Sequence, residues 1–315
     1  SNLCSEITLP TTEDRTAVCC LSSVNLEAYD EWKNDDMFIP DLVRMLDNVL
    51  THFIENAPDE LYRAKLSAQR ERSIGLGAMG FHAYLQRQHI PFESVLAKGA
   101  NNRMFARIKS DAVRATKQLA QERGECPDGQ GFGVRNAQLL AVAPTASSSI
   151  ICGNTSPSIE PYRANAFTQK TKSGSSLLKN EYLENCLQDI DMDTEEVWKS
   201  IITSGGSVQH LEFLDDYTKD VFKTAVEIDQ KWLIEMAGDR QKHICQSQSL
   251  NIFFPADVSK QELHAIHMMA WKQKVKTLYY LRSEAIKRAE TVSDEALRQY
   301  MFDSIDEGAC LACEG

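Results

Sequence analysis

Between positions 39 and 54 the apolar residues Leu42, Val43, Met45, Leu46, Val49, Leu50, Phe53 and Ile54 recur at three- and four-residue spacing. That period predicts an amphipathic helix, started near Pro40 and Asp41. The same pattern predicts helices over 81–88, 101–123 and 259–272, and a capped helix over 193–206 stopped by Gly205 and Gly206. A further helix is expected over 215–236, where Tyr217, Val221, Phe222, Ala225, Ile228 and Leu233 keep helical spacing. Short apolar runs at 16–21, 138–144, 248–254 and 276–282 read as strands. Strand 248–254, helix 259–272 and strand 276–282 form a βαβ unit, so the fold class is α/β with a parallel sheet or barrel. Loops are expected at 124–133, 156–161 and 174–176, which are rich in Gly, Pro, Asp and Ser.

Gly75, Gly77 and Gly80 match the G-x-G-x-x-G spacing of dinucleotide sites. That fingerprint needs a strand before it, whereas 65–72 is mostly charged and polar and reads as helical. Close approach of strands or helices at small residues explains these glycines better.

Length and composition narrow the classes. At 315 residues, 43% hydrophobic and 25% charged, the chain can build one large α/β unit or two domains. A net charge of −11 with no block of Lys or Arg excludes non-specific nucleic-acid binding. No apolar run reaches the roughly 18–20 residues of a membrane span. Nine cysteines in a long chain argue against a secreted disulfide framework and for a cytoplasmic protein with selected reactive thiols.

The first six residues concentrate chemistry. Asn2, Cys4 and Glu6 alternate with Leu3 and Ser5, so an extended segment would put an amide, a thiol and a carboxylate on one face. The bland alternative is a frayed terminus with a stray cysteine. Because catalysis needs rigid geometry, further structure is expected to precede Ser1 in space, unless Ser1-Asn2 is a cloning remnant.

Strand 138–144 runs into Thr145, Ala146, Ser147, Ser148 and Ser149, an anion cradle if a helix follows and otherwise a capping loop. His264 and His267 lie three apart on a helix but lack completing ligands, so a surface or core role is the better reading. Cys310-x-x-Cys313 has no second pair to complete a zinc site and reads as a redox pair.

Taken together, these segments resemble the large catalytic subunit of class I ribonucleotide reductase. Segment 1–7 (Ser-Asn-Leu-Cys-Ser-Glu-Ile) is similar to that family's finger loop. Segment 17–26 (Ala-Val-Cys-Cys-Leu-Ser-Ser-Val-Asn-Leu) is similar to its redox-cysteine strand. Segment 143–149 (Ala-Pro-Thr-Ala-Ser-Ser-Ser) resembles its substrate-phosphate loop, and 276–282 (Lys-Thr-Leu-Tyr-Tyr-Leu-Arg) its tyrosine dyad. The terminal pair resembles its tail cysteines.

The resemblance implies the C-terminal half of a ten-stranded α/β barrel over residues 1–300, with an inserted finger loop, and a flexible redox tail over 301–315. It implies that Cys4 is the thiyl site that takes the 3′ hydrogen of a ribonucleoside diphosphate. Glu6 would accept the 3′-hydroxyl proton and Asn2 bind the ribose hydroxyls. Cys19 would be one of two reducing thiols, and Tyr279 and Tyr280 would relay the radical. Cys310 and Cys313 would reduce the active-site disulfide and be recharged by thioredoxin or glutaredoxin. Ser1, Thr145, Ala146, Ser147 and Ser148 would hold the substrate.

No cofactor or metal is expected on this chain. A dinuclear metal radical cofactor is expected in a partner small subunit, and ATP and dNTP effectors on the N-terminal half. In the family the thiol that pairs with Cys19 precedes the finger loop. Cys20 cannot replace it, because strand neighbours face opposite ways. The expectation is one piece of a split catalytic subunit, active with its N-terminal complement. A non-catalytic scaffold that retains the fold is the alternative.

Overall fold

A computed structural model describes residues 1–171 and 174–283. The 301–315 tail with Cys310 and Cys313 lies outside the described residues. The architecture is a row of parallel extended segments backed by helices. Strand Leu21–Asn25 pairs in parallel with strand Gly75–Met79, from Leu21 opposite Gly75 to Asn25 opposite Met79. Segment 138–142 continues the row. Leu76 N–H donates to Leu139 O and Ala141 N–H to Leu76 O, and parallel bridges join Leu76 to Leu140 and Val142 to Gln248. Segment 246–251 then leads into strand Ile252–Phe254, which pairs in parallel with strand Leu281–Ser283. Five chain segments thus lie side by side in sequence order, and among the described residues the row does not close on itself.

Small residues set how closely these segments pack. A Cβ on Gly75 would stand 2.3 Å from Leu21 Cδ2, and one on Gly77 would stand 2.4 Å from Ala141 O. Gly80, at φ +80°, ends the strand and begins helix Phe81–Arg87; a Cβ there would meet Asn25 Oδ1 at 2.3 Å. The glycine triplet is therefore a packing device preceded by helix Tyr62–Glu71, as its polar flank indicates.

Helix Phe38–Asn56 buries Ile39, Val43, Leu46 and Leu50 and leaves Met45 and Val49 outside. It stops where Pro58 biases Ala57 to extended backbone, at ψ 141°. Helix Val95–Arg123, capped by Ser94 Oγ accepting from Ala97 N–H at 3.1 Å, packs beside it and buries Ala97, Met104, Ile108, Ala112, Ala115 and Leu119. It starts six residues before the expected 101; Ala97 and Ala100 are already buried there, while Val95 and Leu96 are exposed.

Asp47, fully buried, fastens the first helix to the sheet. Its carboxylate accepts from Arg72 Nε and Arg123 Nη1, both at 2.8 Å, and from Asn136 Nδ2 at 3.2 Å. Burial pushes this carboxyl up, but the Arg72 guanidinium and its neighbours outweigh that and hold it below its ordinary range.

Several expected elements differ. The first strand begins at Leu21, so 16–20 is irregular chain leading into it. The expected loop at 174–176 is the start of strand Gly174–Lys179, antiparallel to Ala166–Thr171. The single helix expected over 215–236 is two, Asp216–Val221 and Gln230–Gln241, because Phe222 and Ala225 dive into different cores. A satellite core under the hairpin holds Leu183, Leu187, Trp198, Ile201 and Phe222.

Buried His82 ties this satellite to the sheet. Its Nδ1 accepts from Tyr162 N–H at 2.9 Å, and it bonds the Val221 carbonyl. Burial lowers its pKa to about 3, so it is neutral where an unfolded imidazole is not.

Two expectations follow from these contacts. Gly77→Ala should cost about 1–3 kcal/mol in denaturant unfolding, since backbone must yield to the added methyl; an unchanged midpoint refutes the close packing. As pH falls from 6.5 towards 3 the unfolded state takes a proton that folded His82 refuses, so stability declines across that window. Thermal unfolding of His82→Gln should show a shallower decline there, and parallel curves for the two proteins would dispose of the assignment.

Candidate active site

The Asn2–Glu6 stretch is a turn and not the extended segment that alternation suggests. Ser5 N–H donates to Asn2 O at 3.2 Å, and Ser5 takes φ +67°. The Asn2 side-chain oxygen accepts from Ile7 N–H at 3.1 Å, bracing the turn as Asx motifs do. Cys4 and Glu6 are 3% and 2% exposed, while Ser1 is exposed and Asn2 half-buried. The extended face expected to carry Asn2, Cys4 and Glu6 is therefore absent; what the turn brings together is the Cys4 carbonyl and the Glu6 carboxylate, both against the Ser249 hydroxyl.

Those neighbours were not legible as site residues. Ser247 N–H donates to Glu6 O at 2.9 Å, and Thr8 N–H to Gln246 Oε1 at 3.3 Å. The Ser249 hydroxyl meets both Cys4 O and, at 3.0 Å, Glu6 Oε2. Thr277 donates its hydroxyl to Ser5 O at 2.9 Å, with Gln248 O at 3.2 Å, and touches the Ser247 hydroxyl. The one available signal was the run of polar side chains at 246–249 leading into an apolar strand.

Two residues past Thr277 stands Tyr279. Its phenol hydrogen-bonds the side chains of both Tyr280 and Cys4. Burial first, then these two bonds, hold it above the ordinary tyrosine range. The two tyrosine rings lie 4.0 Å apart between centroids at 38°. Arg282 stands over the Tyr280 ring at 4.7 Å. Thiol, phenol and phenol are thus consecutive neighbours, an arrangement able to pass a hydrogen atom or an electron and proton between sulfur and ring.

The backbone under the pair is irregular. Ile252 N–H donates to Tyr280 O at 3.0 Å, yet Leu250 O accepts from Tyr279 N–H at 2.8 Å. Tyr280 N–H goes to the Asn251 side-chain oxygen at 3.0 Å, and Asn251 N–H to Glu160 Oε1 at 3.1 Å. Glu160 is 3% exposed, and burial pushes its carboxyl up.

Cys19 is exposed and Cys20 is 7% exposed, on opposite sides of the chain entering the first strand. The Cys20 thiol points at Leu46 O, 3.7 Å away, and burial, aided by Asp47, raises it to about 11. It is a protonated core thiol near neutral pH, so Cys19 is the accessible sulfur of the two.

Thr145 sits at the carboxyl end of segment 138–142 with φ +50°, its hydroxyl accepting from Ser158 N–H at 2.7 Å. Helix Ala146–Ile151 follows at once, with Ala146, Ser147 and Ser148 half-buried. Ligands of parallel sheets gather outside such strand ends, and this one offers hydroxyls and backbone N–H groups. Exposed His264 and His267 take no part; among the described residues no three His, Cys, Asp or Glu side chains cluster as metal ligands. Nor, among them, is any helix long and apolar enough to cross a membrane.

The chain is similar in sequence and fold to known proteins. A family model described as "Ribonucleotide reductase, barrel domain" matches residues 1–131 and 126–281. The chain is 53% identical over 307 residues to a ribonucleoside-diphosphate reductase large subunit of Invertebrate iridescent virus 6, covering 96% of this chain and 32% of that one. It is 50% identical over 318 residues to a putative large subunit of Frog virus 3 (isolate Goorha), covering 100% and 55%. The solved Actinobacillus ureae class Id ribonucleotide reductase alpha subunit superposes with TM-score 0.85 at 42% identity, covering 90% of this chain and 53% of that one. The chain spans 32% to 55% of the length of these relatives.

If Thr277 straps the turn, Thr277→Val should loosen it by about 1 kcal/mol while keeping side-chain volume. Alkylation of Cys4, followed peptide by peptide with buried Cys126 as reference, should speed up several-fold. A rate equal to the parent's would show that the strap does not hold the turn.

Proposed function

This chain belongs to the ribonucleotide reductase barrel-domain family, and we propose that it carries the radical thiol of a ribonucleoside-diphosphate reductase. The observation that supports this most is the unbroken contact from Tyr280 through Tyr279 to the Cys4 thiol, with Glu6 held beside the same turn. A thiol beside two adjacent phenols is suited to be oxidised to a thiyl by hydrogen-atom loss to a tyrosyl. The Cys4 thiyl then takes the 3′ hydrogen of the substrate ribose. Glu6 receives the 3′-hydroxyl proton, and the 2′-hydroxyl, protonated by one of two reducing thiols, departs as water.

Those two thiols supply the two electrons and become a disulfide, their second hydrogen goes to C2′, Glu6 returns its proton to the 3′ oxygen, and the 3′ hydrogen returns from Cys4 to leave a deoxyribonucleotide and the Cys4 thiyl. Cys19 is one of these thiols; its exposure beside the inert Cys20 supports that choice. Its counterpart belongs to the portion of the large subunit that lies outside these 315 residues. Asn2 orients the ribose, and Ser1 with Thr145, Ala146, Ser147 and Ser148 binds the diphosphate.

The first radical comes from a small subunit holding a dinuclear metal cofactor. ATP and dNTP effectors act on the complementary part of the large subunit. Cys310 and Cys313 return the active-site disulfide to thiols and are themselves reduced by thioredoxin or glutaredoxin, in the cytoplasm.

Reconstitution tests the proposal. The chain, co-expressed with the complementary large-subunit segment and supplied with the small subunit and dithiothreitol, should reduce CDP, and Cys4→Ser should abolish turnover. An assembly whose CDP reduction survives Cys4→Ser, or a chain that joins neither partner, sinks it.

A further inference from the structure

Ser249 occupies a position that the family reading leaves without a role. It is fully buried on segment 246–251, its N–H donates to Val142 O at 2.8 Å, and its hydroxyl faces two oxygens of the finger turn. One is the Cys4 carbonyl and the other is Glu6 Oε2 at 3.0 Å. A serine hydroxyl has one proton to give and lone pairs to receive, and an ionised carboxylate has only lone pairs. With Glu6 ionised, the single Ser249 proton can serve the carbonyl or the carboxylate, and the other oxygen faces it lone pair to lone pair. With a proton on Glu6, the carboxyl donates to Ser249 Oγ and Ser249 donates to Cys4 O. Every contact in the triangle is then a hydrogen bond.

We propose that Ser249 is a positioning residue that couples arrival of a proton on Glu6 to the turn that carries the Cys4 sulfur. This rests on the reading of Glu6 as acceptor of the substrate hydroxyl proton and extends it. The acceptor is placed where gaining a proton completes a network anchored to the radical residue's own backbone. Proton transfer from the substrate is thereby favoured at the moment the turn must be rigid. The coupling runs through one hydroxyl group.

A double-substitution cycle on the chain itself tests the link without turnover. Glu6→Gln places a permanent N–H donor opposite Ser249 Oγ and imitates the protonated carboxyl. Ser249→Ala should therefore lower the melting temperature by more in the Glu6→Gln background than in the parent, by roughly 2–4 °C of extra loss. Equal losses in both backgrounds overturn the coupling.

In the reconstituted reductase, Ser249→Ala should lower kcat by about tenfold or more with KM little changed, as for residues supporting a reacting group. Ser249→Thr, which keeps the hydroxyl, should recover most of kcat. If Ser249→Ala does not fold, Ser249→Thr in both Glu6 backgrounds decides the matter, since it should preserve the extra stability of Glu6→Gln. A Glu6→Gln chain no more stable than the parent in that pairing overturns the proposal. Unimpaired kcat in Ser249→Ala, with an active parent assembly, defeats this inference alone. An inactive parent assembly defeats the reductase reading while leaving the melting cycle to judge the link.

Discussion

Ser247, Gln248 and Ser249 are fully buried, and the mouth of the strand row depends on their being satisfied there. A buried hydroxyl or amide left without a partner costs about 1–3 kcal/mol, so this segment demands partners on both faces. Inward, Gln248 accepts from Arg240 Nε at 3.0 Å and donates to Ala237 O at 3.0 Å. Outward, Ser247 and Ser249 find theirs in the finger turn and in Thr277. The turn brings Ile7, 4% exposed, as its apolar contribution. Polar pairing therefore supplies much of what positions the Cys4 sulfur, which suits a site that must hold one geometry.

The strand row supplies the rigid base for that pairing. Its segments are brought into register by glycines that admit a neighbour's backbone, and its outer face is sealed by helices with ordinary apolar stripes. Asp47 and its arginines lock one helix to the entry of two segments, and His82 locks the satellite unit to the exit of another. The fully buried charges of Asp47 and Arg240 are each bonded more than once, as low dielectric requires. Among the described residues Leu21–Asn25 pairs with Gly75–Met79 alone, and an unpaired strand edge is where such a row can continue.

How much of this was legible in the sequence varies with the kind of signal. Helix Phe38–Asn56 was, because apolar residues at three- and four-residue spacing over 39–54 admit few other solutions. The glycine triplet was legible as packing because its polar flank ruled out a preceding strand. The hairpin at Ala166–Thr171 and Gly174–Lys179 was hidden, since a Gly and Ser run reads as a loop until a partner strand is known. At the site, Cys4, Glu6, Tyr279 and Tyr280 could be singled out by residue type. Their mutual placement could not, because Thr277 and Ser249 act across more than 240 positions of chain separation. Long-range hydrogen bonds leave no local period to read.

Tyr279 and Tyr280 show why such contacts matter. Neighbours on a regular strand face opposite sides, so two adjacent rings 4.0 Å apart are forbidden to an ideal ladder. The pairing of Ile252 N–H with Tyr280 O would, if continued, give Leu250 O the N–H of Tyr280. Leu250 O takes Tyr279 N–H instead, so one extra residue is accommodated, as in a bulge. The displaced Tyr280 N–H is received by the Asn251 side chain, and Glu160 fixes Asn251 from behind. A buried acid and an amide thus stand in for a missing ladder carbonyl. Without that substitution the extra residue would leave an orphan N–H inside the fold, and the straightened strand would turn one ring away from the sulfur. The approach of the two phenols to each other, and of Tyr279 to Cys4, is therefore a property of the neighbouring strand as much as of the tyrosines themselves.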